Sequence, residues 1–210
     1  MEIEEYVANV AYTKEGIDDY LDTIRIFYQH YKLHKITIIK NEDLFYQAQM
    51  DYQEDFPFEI SVEEWQSPIG WPFSRLVVKY KELDYKEEMI DKEISIERNY
   101  GSSYLSLMKQ NNTYFLVFGH DYQGIAALNL TTKLASYYLP KAALEGTGFC
   151  ITDILSWDES DGLLEVEGCY WAWPYTTRLY KIDDLNNISL TKLLVDGYDV
   201  EEDENDNENI

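Results

Sequence analysis

From Tyr100 onward the chain is cut into short strand-like runs by turn residues, which confines this part to antiparallel β-structure. Tyr104 to Lys109 and Tyr114 to Gly119 flank Asn111-Asn112, and asparagine tolerates the positive φ of a tight hairpin turn. Gly124 to Leu130 and Leu134 to Leu139 follow, separated by Thr131-Thr132-Lys133. A loop with Glu145-Gly146-Thr147-Gly148 leads to Cys150–Trp157, and Asp161-Gly162 turns the chain into Leu163–Gly168 and then Thr177–Ile182. Leu116 to Gly119, an aromatic stretch and Leu128 to Leu130 resemble Leu164 to Gly168, an aromatic stretch and Tyr180 to Ile182. The two glycines, Gly119 and Gly168, lie 49 residues apart, a period found in propeller blades and duplicated meanders.

The first hundred residues read differently. Tyr6, Ala8 and Val10 mark a short strand. Ile17, Tyr20, Leu21, Ile24, Phe27, Tyr28 and Tyr31 recur at helical spacing, with Lys32, His34 and Lys35 at the C-terminal end of that helix, where the dipole favours positive charge. Ile36 to Ile39 reads as a buried strand and Leu44 to Met50 as a shorter helix. Pro57, Pro68, Gly70 and Pro72 exclude a long helix between Phe56 and Trp71. Strands follow at Leu76–Tyr80 and from Ile90 towards Arg98, with charged Lys81 to Met89 between them.

These patterns predict an α+β fold in which an N-terminal strand–helix–strand element packs with a larger, mainly antiparallel sheet. Residues 1–100 form the α/β part and 101–200 the meander part, joined in one compact unit. Glu201 to Ile210, with six acids and three Asn, predicts a disordered acidic tail.

Charge narrows the partners. Forty acids against 17 bases give a net charge of −23. A body this negative repels nucleic-acid phosphates, so direct nucleic-acid binding is disfavoured. No apolar run approaches the roughly 20 residues of a membrane helix, and the acidic N-terminus is unlike a signal peptide. A cytoplasmic protein is expected, with Cys150 and Cys169 as reduced thiols; only adjacent strands would bring those two within disulfide reach.

Motifs for catalysis are sparse. His30 and His34 have the spacing of a zinc-binding helix, but Tyr31 stands where a metalloprotease carries Glu, and no third ligand accompanies them. His120 and Asp121 are an acid–base candidate, yet neighbours on a strand point to opposite faces. Gly101-Ser102-Ser103 and Gly146-Thr147-Gly148 lack the following Lys of a phosphate loop. Asp158, Glu159, Asp161, Glu165 and Glu167 suit a solvated face as well as a carboxylate pair. No cofactor and no metal site is expected.

The densest unusual segment is Gly168-Cys169-Tyr170-Trp171-Ala172-Trp173-Pro174-Tyr175. Tyr170, Trp171, Trp173 and Tyr175, with Trp157, are the candidate binding residues, because Trp and Tyr dominate binding hot spots; the competing reading makes them core. Acidity and aromatics together point to a non-enzymatic protein that neutralises a basic partner such as a nuclease, toxin or defence protein. DNA mimicry is one form of that role. In composition alone the chain is similar to small bacterial immunity proteins and phage-encoded anti-defence proteins. The alternatives are a hydrolase and a small-ligand or sugar-binding protein using the 170–175 aromatics.

Overall fold

The computed structural model describes residues 33–66, 72–98, 104–120, 123–140, 142, 148–170 and 172–197. The strand expected at Tyr6–Ala11, most of the long helix from Ile17, and the acidic tail lie outside them. Among the described residues, twelve strands fall into three four-stranded antiparallel sheets, each a run of consecutive strands. The first holds β1 (Leu33–Ile39), β2 (Phe58–Gln66), β3 (Pro72–Leu83) and β4 (Met89–Arg98). The second holds β5 (Leu105–Gln110), β6 (Thr113–His120), β7 (Gly124–Asn129) and β8 (Ala135–Tyr138). The third holds β9 (Cys150–Asp158), β10 (Leu163–Tyr170), β11 (Ala172–Lys181) and β12 (Leu193–Asp196). Among the described residues there is one α-helix, α1 (Asn41–Gln47), and a single 3-10 turn at Leu185–Asn187.

The α+β expectation is therefore corrected: the described fold is essentially all-β. Leu33 to Lys35, assigned from the sequence to the end of the long helix and its flank, belong to β1, which pairs antiparallel with β2. The strand and most of the helix expected ahead of β1 lie outside the described residues, and α1, which follows β1, spans only seven residues and serves as a plug. Its Leu44 and Phe45 are buried, and the Phe45 ring meets Phe56 edge-on at 5.2 Å. Nor is β1 a buried strand, since Ile38 is 67% exposed at the sheet edge. The single large sheet is replaced by three small ones stacked face to face.

Asx side chains shape the reversals. Asn111 and Asn112 take φ of 51° and 61°, the positive values a two-residue hairpin turn requires. Asp84 Oδ1 accepts the Lys86 and Glu88 N–H groups at 2.7 and 2.9 Å, so the charged 81–89 segment is the β3–β4 hairpin. Asn129 Oδ1 accepts the N–H groups of Thr131 and Thr132, both at 2.9 Å. Asp158 Oδ1 accepts the Ser160 and Asp161 N–H groups at 2.8 and 3.2 Å, just before Gly162 at φ 59°.

The second sheet is the middle layer. Leu107, Leu116, Phe118, Ala126 and Leu128 pack into one core with Ile60, Val62, Leu76 and Val78 of the first sheet. The alternate residues Met108, Phe115, Val117, Ile125 and Ala127 pack into a second core with Leu164, Val166 and Tyr180 of the third. Burial on both faces explains the charge pattern: Lys109 and Lys133 are the only Lys, Arg, Asp or Glu among the described residues from 104 to 140. Arg98, buried at the end of β4, ties the first two layers by donating to Ser74 Oγ at 2.9 Å and to the Gly119 carbonyl at 3.5 Å. Gly119 and Gly168, the paired positions of the internal repeat, both lie on the second strand of their sheets. Among the described residues no helix is long and apolar enough to cross a membrane.

Candidate functional site

The aromatic segment is not a loop between strands but the closed end of a hairpin. Tyr170 on β10 pairs with Ala172 on β11, so the two strands extend into the segment from either side. Behind the hairpin sits Arg178 of β11. It lies in phase with Tyr180 and Ile182, and period-two alternation therefore turns it inward. A buried guanidinium needs partners on every side. Arg178 Nε and Nη2 donate to Asp196 Oδ1 and Oδ2 at 2.6 and 2.9 Å, Nη1 donates to the Tyr180 hydroxyl at 3.3 Å, and Nη2 also donates to the Tyr170 hydroxyl. Its plane stacks 4.1 Å from the Phe149 ring and 4.9 Å from the Tyr170 ring. Burial opposes the Arg178 charge, yet the hydrogen bond to Asp196 and the tyrosine hydroxyls outweigh it and hold the pKa above the ordinary arginine value.

Tyr170 is consequently fixed by its hydroxyl, by Arg178 and by edge contact with Phe149 at 5.5 Å, while 51% of it stays exposed. Tyr175, 48% exposed, is two residues from Thr177, which pairs with Glu167. Alternation thus puts Tyr175 on the outer face with Glu165 and Glu167. On that face Glu167 lies directly opposite Asp153 of β9. Like charges so placed repel, and neither has an ion-pair partner among the described residues. The first sheet is built the other way: its outer carboxylates are matched across strands, Glu63 by Arg75 at 3.4 Å and Glu59 by Lys79 at 4.0 Å. Residues 148–197 carry nine acids against three bases, and one of those bases, Arg178, is turned inward.

The other candidates are scattered. Trp157 pairs with Leu164 near the far end of β10, about 20 Å from Tyr170 by the strand rise. Its Nε1 donates to the Lys109 carbonyl at 2.9 Å and its ring packs on the core between the second and third sheets, so it joins layers. Trp171 and the side chain of Trp173 lie outside the described residues. His120 is buried with its ring 4.9 Å from Tyr137, and Asp121 lies outside the described residues. His34 has a strand backbone, and His30 is likewise outside. Among the described residues no group of three or more His, Cys, Asp or Glu is placed to hold a metal ion.

Beside Tyr170 an open pocket of about 240 Å³ is lined by Gln123, Tyr138, Phe149, Tyr170, Arg178 and Tyr180 of the second and third layers. Gln123 is only 4% exposed; its Nε2 donates to Cys150 Sγ at 3.4 Å, and its Oε1 accepts no hydrogen bond from the described residues. The phase of Arg178 with Tyr180 is visible in the sequence, whereas Phe149 joins the site through the pairing of β9 with β10 and Gln123 through the stacking of sheets. Comparison with protein-family models, curated proteins and solved structures finds no match.

Proposed function

We propose that this protein is a non-enzymatic binding protein that captures a basic protein partner on the outer face of its third sheet. The observation that carries the reading is the unneutralised Asp153–Glu167 pair beside Tyr175. A cationic partner relieves the like-charge repulsion and covers the exposed ring. Charge of this kind steers encounter, while the half-exposed Tyr175 ring supplies lifetime. Tyr170, held by Arg178 on the opposite face of the sheet, lies outside this surface. Nucleases, toxins and defence proteins with basic grooves are the partner class such a face fits. The test is capture from host lysate at low and high salt, followed by kinetics with the captured partner. Glu167→Gln should slow association and Tyr175→Ala should speed dissociation. Binding indifferent to salt and to both substitutions overturns the reading.

A second reading, binding of a small uncharged ligand, is favoured by the open pocket beside Tyr170. Gln123 Oε1 offers an acceptor to a ligand N–H or O–H. A thermal-shift screen against sugars and nucleosides separates the two, because a ligand of the folded state raises the melting temperature. In that case Gln123→Leu abolishes the shift.

A further inference from the structure

We infer that Cys150 and Cys169 form a cross-strand dithiol site that closes to an intramolecular disulfide on meeting a small cationic disulfide. Cys169 of β10 is the direct antiparallel partner of Cys150 of β9, and both are free thiols. Directly opposed residues project from the same face of a sheet, with Cα atoms about 4.5–5.5 Å apart, inside the roughly 4.4–6.8 Å range of disulfides. Their Cβ atoms start about 4.5–5.5 Å apart, so closure asks for an approach of about 1 Å. The sheet can supply it here, because the register shifts between Glu167 and Gly168, and a bulge adds local twist.

The two thiols have different parts. Cys169 is half-buried and reachable from solvent, whereas Cys150 is buried. Gln123 Nε2 donates to Cys150 Sγ at 3.4 Å. The Cys169 pKa is pushed up by burial and further by Cys150, so exchange speeds up as pH rises. In the first step the Cys169 thiolate attacks one sulfur of the small disulfide, forming a mixed disulfide and releasing one small thiolate, which takes up a proton. The Cys150 thiolate then attacks Cys169 Sγ, and the second small thiol leaves. Two protein thiols and one small disulfide become one protein disulfide and two small thiols, the small disulfide accepting both electrons. The Asp153 and Glu167 carboxylates beside the pair favour a cationic reagent over an anionic one. The bond staples the β9–β10 hairpin at the end away from its turn, next to Tyr170.

The test treats the native full chain, at low protein concentration, with cystamine. The expected product has lost two hydrogens by intact mass, yields a peptide linking Cys150 to Cys169, and reverts with dithiothreitol. Cys150→Ser should stop at a stable cysteamine adduct on Cys169, and Cys169→Ser should leave Cys150 unmodified in the folded protein. Wild-type protein that keeps both thiols, accumulates stable cysteamine adducts or forms linked dimers overturns the inference. So does equal labelling of Cys150 and Cys169 in the single variants.

Discussion

Arg178 meets Asp196 side-on through two hydrogen bonds, 2.6 and 2.9 Å long, and this fork fastens β12 to the inward face of β11. The arrangement is asymmetric in burial, for Arg178 is enclosed and Asp196 is half-exposed. Removing the carboxylate leaves a buried charge with only tyrosine hydroxyls as partners. Breaking a fully buried pair costs about 3–5 kcal/mol, but water reaches Asp196 and screens the interaction. Asp196→Ala is therefore expected to lower stability by about 1–2 kcal/mol, read from the urea midpoint. An unchanged midpoint would mean that Tyr170 and Tyr180 suffice.

Gly168 is held by space. A Cβ there would fall inside contact distance of the Cys150 carbonyl and 2.7 Å from the Phe149 ring, and a backbone carbonyl of the neighbouring strand cannot swing aside. Gly168→Ala should cost about 2 kcal/mol or more, as overpacking does, and should loosen Tyr170 by displacing Phe149. Thermal unfolding gives the first and tyrosine-ring NMR linewidths the second. A melting temperature within a degree of wild type would show that β9 and β10 separate freely at this point.

The reversals were legible because Asn111-Asn112 and Asp161-Gly162 act locally. The alternation of Ile60 and Val62 with Glu59, Ser61 and Glu63 in β2 is short and flanked by Pro57 and Pro68, which read as loop punctuation. Those prolines lie outside the strand, where they break no ladder. The division into three sheets was hidden for a deeper reason. A strand buried on both faces, such as Thr113–His120, loses the polar half of its alternation and reads alike in one large sheet or a stack. The site suffers the same limit: Arg178 announces a buried charge through its phase with Tyr180, but its cradle includes Phe149, from another strand, and Asp196.

The β9–β10 turn should respond to acid. Asp158 has its pKa lowered below the ordinary 3.8, first by the Ser160 hydroxyl and then by the Asp161 and Ser160 N–H groups. A carboxylate whose folded pKa is depressed contributes fully above its unfolded value, and the contribution is lost as pH falls through the folded value. Hydrogen exchange at Ser160 and Asp161, corrected for intrinsic rates, should lose protection below about pH 4. Asp158→Ala should remove that pH dependence. Protection that persists to the lowest pH would show that Gly162 alone sets the turn.

Trp157 and Tyr175, both aromatic candidates from the sequence, should separate cleanly on substitution. Trp157→Phe keeps most of the apolar surface but loses the Nε1 hydrogen bond to the Lys109 carbonyl, at a cost of about 1 kcal/mol in stability. Partner lifetime should be unchanged, since the ring lies between layers. Tyr175→Ala removes a half-exposed ring and should leave stability within about 0.5 kcal/mol, typical of surface positions. At a hot spot it should weaken binding by about 2 kcal/mol, mainly through faster dissociation. Equilibrium unfolding and dissociation kinetics measured on both variants give a two-by-two comparison. A Trp157→Phe variant that shortens the complex, with Tyr175→Ala silent, would move the interface to the other end of β10.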